Sequence, residues 1–163
     1  MIFFLGRENF PRYYGQGGGN YKLDRAQVVL NTTSDIKRSV TLIAGGSLIP
    51  QAIKAAEILK AEDIGCFVVN PSCLNYPDVE MIKGCLQKSE GRLITVEDHQ
   101  LVGGMGAIVT HALACSGVSL KLKSLGVGGE FGQSAYKAIE LYEKHGLESQ
   151  AMVQAARDMM SGL

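Results

Sequence analysis

An α/β sheet with helices on its faces is the fold class this sequence predicts, and three observations carry the prediction. From Val40 onward, short apolar runs alternate with longer segments of helical period. The first two runs stop at Gly45-Gly46-Ser47 and Asn70-Pro71, residues that close strands and open turns. The chain has 163 residues, 46% hydrophobic and 20% charged, which suits one packed core and leaves no room for two catalytic domains. At this length folding removes roughly 70% of the unfolded surface, so neither metal nor disulfide is required for stability.

Residues 6 to 39 differ from the rest. They are Gly-rich at Gly15 and Gly17 to Gly19, polar at Asn31 to Ser34, and hold one strand-like run, Gln27 to Leu30. This segment reads as a linker with a strand in it. Val40 to Ala44 is the next strand, after which Ser47 or Pro50 starts a helix with Ile49, Ala52, Ile53, Ala56 and Leu59 inward. Gly65 to Val69 is a strand, Pro77-Asp78 opens a helix with Val79, Ile82 and Leu86, and Arg92 to Glu97 is a third strand of the alternating region. Gly103 to Gly106 introduces a helix that turns Ile108, Val109, Ala112 and Leu113 to the sheet. Ser119 to Leu125 is a fourth strand. Two helices end the chain: Ser134 to Lys144, stopped by Gly146, and Glu148 to Met160.

Sixteen basic residues balance 16 acidic ones, so no broad field draws nucleic acid or anionic lipid. No apolar run approaches a membrane span of about 18–20 residues, and Met1 to Leu5 is too short for a signal-peptide core, so a cytoplasmic location is expected. Cys66, Cys73, Cys85 and Cys115 include no Cys-x-x-Cys pair and lie in or beside apolar stretches; buried free thiols are expected.

Three glycine clusters invite a phosphate-cradle reading. Gly45-Gly46-Ser47, Gly103-Gly104-Met105-Gly106 and Gly126 to Gly132 lack the Gly-x-Gly-x-x-Gly and P-loop spacings, so tight turns and close helix packing are the favoured readings. Glu97-Asp98-His99 is the best local chemical cluster, at the carboxyl end of a strand where open α/β sheets place ligands. Its bland alternative has Asp98 bonding the following loop and His99 packing at an interface. His111 lies in a helix and His145 in a last turn, where a cation suits the helix dipole. Ser47, Ser134 or a cysteine as nucleophile would need a base and an orienter that the spacing does not supply. Arg7, after Ile2 to Gly6, has a planar fork suited to a phosphate.

Taken in register, Leu5-Gly6-Arg7-Glu8-Asn9, Val40 to Ser47, Leu93 to His99 with Gly103 to Gly106, and Phe131-Gly132-Gln133-Ser134 with Leu141 to Leu147 resemble the C-terminal part of transketolases and deoxyxylulose-phosphate synthases. The resemblance covers nearly the whole chain. It implies a three-layer α/β/α domain with a mixed, mostly parallel five-stranded sheet over residues 40–163, preceded at 1–39 by the end of a pyrimidine-binding domain and a linker.

It also implies a part in a thiamine-diphosphate-dependent enzyme that moves a two-carbon ketol unit between sugar phosphates. In that family the thiamine diphosphate and its divalent metal sit in upstream domains. This sequence lacks the Gly-Asp-Gly motif that binds them, so the chain alone is expected to be inert. The implied partners are those upstream domains or an N-terminal subunit, and a dimer mate. Arg7 matches the position where transketolases set an arginine against the substrate phosphate, with Gly6 replacing the usual serine. No catalytic role transfers to Glu97, Asp98 or His99. The equivalent domain of deoxyxylulose-phosphate synthase or of a 2-oxoacid dehydrogenase beta chain, and a free-standing anion or nucleotide module, are the alternatives. Ile2 to Leu5 reads as the last strand of a domain whose other strands are absent, so residues 1 to about 20 are expected to be disordered or paired with another chain.

Overall fold

The structure, a computed structural model, describes residues 8, 9, 11–13 and 22–162. Its elements in chain order are β1 (Gln27–Asn31), β2 (Arg38–Ala44), α1 (Ile49–Lys60), β3 (Ile64–Asn70), α2 (Val79–Lys88), β4 (Arg92–Gln100), α3 (Met105–Cys115), β5 (Lys121–Val127), α4 (Ala138–His145) and α5 (Ser149–Ser161). One five-stranded sheet runs in the order β1-β3-β2-β4-β5. β1 is antiparallel to β3, and the other pairings are parallel.

The alternation of side chains along the central strands explains the layers. Val40, Leu42 and Ala44 of β2, Cys66 and Val68 of β3, and Ile94 and Val96 of β4 face α1 and α5, meeting Ala52, Ala56, Leu59, Met152 and Val153. Ile43, Phe67, Val69 and Leu93 face the other way, onto Ile82 and Leu86 of α2 and Val109 and Leu113 of α3. Central strands covered on both faces read as nearly continuous apolar runs, which is why they were legible. The three-layer α/β/α architecture and the mixed, mostly parallel sheet are those expected.

Capping fixes the helix ends. The Asp78 carboxylate accepts from the Met81 N–H at 3.2 Å to start α2, and Glu148 accepts from Ala151 N–H at 3.2 Å to start α5. Gly146 ends α4 with φ +64°, a left-handed turn that suits glycine.

Four expectations need correction. β4 continues through Asp98 and His99 to Gln100, so these residues belong to the strand, past a register shift, rather than to a loop. β5 starts two residues later than expected and is largely exposed; Lys121 and Lys123 keep this edge in water, a charge placement that discourages pairing with another sheet. α4 starts at Ala138 and not Ser134: Lys137 is extended (φ −126°, ψ 148°), and the Tyr136 and Ala138 N–H groups donate to the carboxylates of Glu140 and Glu8. Only Cys66 and Cys85 are buried; Cys73 is half-buried and Cys115 exposed on the outer face of the last turn of α3.

The strand at Ile2 to Leu5 lies outside the described residues. Of the segment around it, Glu8 accepts from the Ala138 N–H at 2.7 Å and Tyr13 packs against the α1/α5 core.

Burial pushes the Cys66 thiol up to about 12, which suppresses the reactive thiolate. At about pH 8, where an ordinary thiol is partly ionised, an aromatic disulfide reagent should label Cys115 first and Cys66 only after denaturation, with the order read by peptide mass mapping.

Candidate functional site

β2 connects through α1 to β3 on one side, whereas its neighbour β4 connects through α3 to β5 on the other. Their carboxyl ends therefore part, which is where open α/β sheets form a crevice. The crevice here encloses about 830 Å³ and is lined by Gly45 to Ser47, Asn70, Ser72, Leu74, Glu97 to His99, Met105, Tyr142 and Tyr13. Across its floor the Ser47 hydroxyl donates to Asp98 Oδ2 at 2.7 Å, tying the end of β2 to that of β4. The Tyr142 hydroxyl of α4 faces the same pair; burial raises its pKa above the ordinary tyrosine value, Ser47 opposes the shift and the Asp98 carboxylate adds to it.

Glu97 is spent on structure. Its carboxylate is buried and accepts from the Met105 N–H at 2.6 Å and the Gly106 N–H at 3.0 Å, the first free donors of α3. A carboxylate at a helix N-terminus also meets the positive end of the helix dipole. The two glycines make room for it. A methyl at Gly104 would collide with the Glu97 carboxylate and the Gln100 carbonyl, and one at Gly106 would sit 2.6 Å from Thr95 Oγ1. Gly103-Gly104-Met105-Gly106 is thus a seat for a carboxylate supplied by the protein itself.

The expected cluster is consequently split by role. Glu97 caps α3, Asp98 holds Ser47, and His99 is exposed, its Nδ1 3.3 Å from the Gln100 carbonyl oxygen. The bland reading had Asp98 bonding the loop that follows; Glu97 does this, and Asp98 reaches across to β2. Ser47 meets a carboxylate directly, with no imidazole between them, so the nucleophile constellation is not assembled. His111 is exposed on α3, its Nε2 3.6 Å from Cys115 Sγ, and His145 ends α4. Arg7 lies outside the described residues.

Neither Lys nor Arg lines the crevice among the described residues, and two carboxylates do, a poor match for a phosphate. No group of three or more His, Cys, Asp or Glu suited to a metal occurs among the described residues. The donor set present here does not fit thiamine diphosphate and its divalent metal.

Two features escaped the sequence reading. Gln100 clamps the β5–α4 loop, its Nε2 donating to the Glu130 carbonyl at 2.8 Å and its Oε1 accepting from Gly129 N–H at 2.9 Å. Tyr142 reaches the crevice from α4. Neither has a sequence signature, because both contacts span about 30 residues or more.

Replacing Glu97 with Gln, which leaves one helix donor facing an amide NH2, should cost about 1–3 kcal/mol. Gly104→Ala should cost about 2 kcal/mol or more through overpacking. Urea unfolding of both variants measures this, and a wild-type midpoint for either would refute the cap.

Comparison with known proteins adds an independent line. Residues 30–152 match the family described as "Transketolase, C-terminal domain". A protein from Methanocaldococcus jannaschii provisionally named as a transketolase C-terminal section is 36% identical over 121 residues, 74% of this chain and 37% of its own length. The 1-deoxy-D-xylulose-5-phosphate synthase of Heliobacterium modesticaldum is 32% identical over 120 residues, 74% of this chain and 18% of that enzyme. Among solved structures, "Split gene transketolase, inactive beta4 tetramer" superposes with a TM-score of 0.78 at 27% identity, covering 94% of this chain and 46% of that one. The chain spans less than half the length of these relatives.

Proposed function

The chain belongs to the transketolase C-terminal domain family, and from that premise we propose that it serves as the C-terminal portion or subunit of a thiamine-diphosphate-dependent transketolase acting on sugar phosphates in the cytoplasm. The observation that carries this reading is the family match over most of the sheet, joined to a crevice whose best carboxylate is committed to holding a helix. Its role is scaffolding: it packs on the upstream domains and on a dimer mate, and keeps the complete active site rigid. In this reading the cofactor and its metal are held by the upstream part, and this chain alone is inactive. Residues 1–39 are the end of the preceding domain and the linker, with β1 the stretch of linker that joins the sheet.

Arg7 is the one proposed substrate contact. A bidentate guanidinium would orient a sugar phosphate by charge-assisted hydrogen bonds. The adjacent Glu8 accepts from the Ala138 N–H at the start of α4, next to the crevice-lining Tyr142 helix. The match to a deoxyxylulose-phosphate synthase favours, as a second reading, the equivalent domain of that enzyme.

Mixing the chain with its upstream polypeptide, thiamine diphosphate and magnesium should yield ketol transfer from a ketose phosphate, and neither component alone should do so. Turnover of pyruvate instead would establish the second reading; no turnover with either donor would overturn both. In the active mixture, Arg7→Ala should raise KM for the sugar phosphate by roughly 10–100-fold, the loss of one or two charge-assisted bonds, with a smaller change in kcat.

A further inference from the structure

The apolar side chains most open to solvent gather at the carboxyl end of the sheet. Phe131 is 96% exposed, Val102 90% and Tyr136 84%, with Leu74 and Tyr76 on the neighbouring β3–α2 loop. Isolated exposed apolar residues are ordinary, but a group at one end of a molecule marks an interaction surface. The loop that carries Phe131 is also held in shape. Besides the Gln100 clamp, Gln133 Nε2 donates to Glu130 Oε2 at 2.5 Å and Lys144 Nζ donates to Gln133 Oε1. An aromatic ring set in water on a braced loop has the form of an interface anchor, since little ordering entropy is left to lose on contact.

We propose that Phe131, flanked by Val102 and Tyr136, is the anchor through which this chain docks on the transketolase domain that lies upstream in its relatives, whether in the same polypeptide or in a partner subunit. The inference rests on the functional reading above and names the surface that reading requires. Two observations select this occupant. The match is to the C-terminal domain of proteins more than twice as long, so their remaining domains precede it. The segment preceding the sheet arrives at this same end: Glu8 is bonded to the first turn of α4, directly after the Phe131 loop, and Tyr13 lines the crevice. A domain attached through that segment would lie within reach of Phe131. The Ser72 hydroxyl, buried at the crevice wall without a hydrogen-bond partner among the described residues, is a polar group such a neighbour could satisfy.

Titration of the full chain into the upstream polypeptide, followed by calorimetry and sedimentation velocity, tests the assignment. Phe131→Asp should weaken binding on the order of 30-fold, Val102→Asp should weaken it too, and Leu122→Asp on the remote β5 edge should leave it unchanged. Circular dichroism and thermal unfolding of Phe131→Asp should match wild type, since the ring buries nothing in the chain itself. Tight binding that survives both Phe131→Asp and Val102→Asp would overturn the docking face while leaving the functional reading intact. Absence of wild-type binding would overturn that reading. Self-association abolished by Phe131→Asp, with no binding of the upstream polypeptide, would make the occupant a second copy and refute the proposal.

Discussion

The seating of the Glu97 carboxylate on the first turn of α3 is the contact on which this end of the molecule depends. Two short bonds from Met105 and Gly106 N–H groups link the end of a central strand to the start of a helix eight residues later. They compensate a buried negative charge that would otherwise be very costly. They also commit the intervening backbone: Gly104 must lie against the carboxylate and Gly106 against Thr95, so the β4–α3 turn has little freedom left. With that turn set, Gln100 is positioned to grip the β5–α4 loop, and Asp98 to meet Ser47 at the end of β2. The carboxyl end of β4 is thus tied by three of its side chains, Glu97, Asp98 and Gln100, to the start of α3, to Ser47 beyond β2 and to the loop after β5.

That arrangement bears on chemistry. A carboxylate free to exchange protons with substrate must be solvated or aimed into a cavity; Glu97 is engaged by backbone donors on both oxygens. Its polar neighbours in the crevice are the Ser47 and Ser72 hydroxyls, the phenols of Tyr13 and Tyr142, Asn70, His99 and Asp98, with neither Lys nor Arg among the described residues. The proposed scaffolding role agrees with this commitment of side chains to structure, and the contacts at the carboxyl end stiffen the surface that faces outward.

The layers were readable because the physics that fixes them is local. Apolar runs such as Val40 to Ala44 and Ile64 to Val69 are buried on both faces, and Asp78, Glu148 and Gly146 mark helix ends through bonds or dihedral angles within three or four residues. The site was half legible. Glu97 to His99 and the glycines of 103 to 106 stand out in the sequence, but the fact that one group serves the other emerges only when strand and helix are placed in space. Leu93 and Ile94 point to opposite helix layers, as the alternation of side chains along a strand requires. The start of α4 was misplaced because Ser134 to Lys137 have ordinary helical composition; Lys137 is nonetheless extended, and the Ala138 N–H donates to Glu8, 130 residues away, a contact that no local pattern encodes. Cys115 was assigned to the interior on the apolar character of its surroundings, and helix rotation turns it out.

The antiparallel strand at the sheet margin has a bearing on how the domain is bounded. β1 hydrogen-bonds along β3, and Thr32 adds a reciprocal pair with Cys66, its N–H donating to the Cys66 carbonyl at 3.0 Å and its hydroxyl accepting from the Cys66 N–H at 2.9 Å. The match to the family begins at residue 30, within this strand. A shortened version cut there would strip the β3 margin of its cover and leave a long apolar strand with open amides, the kind of surface that seeds association between sheets. The strand that covers this margin is therefore also a guard against self-aggregation.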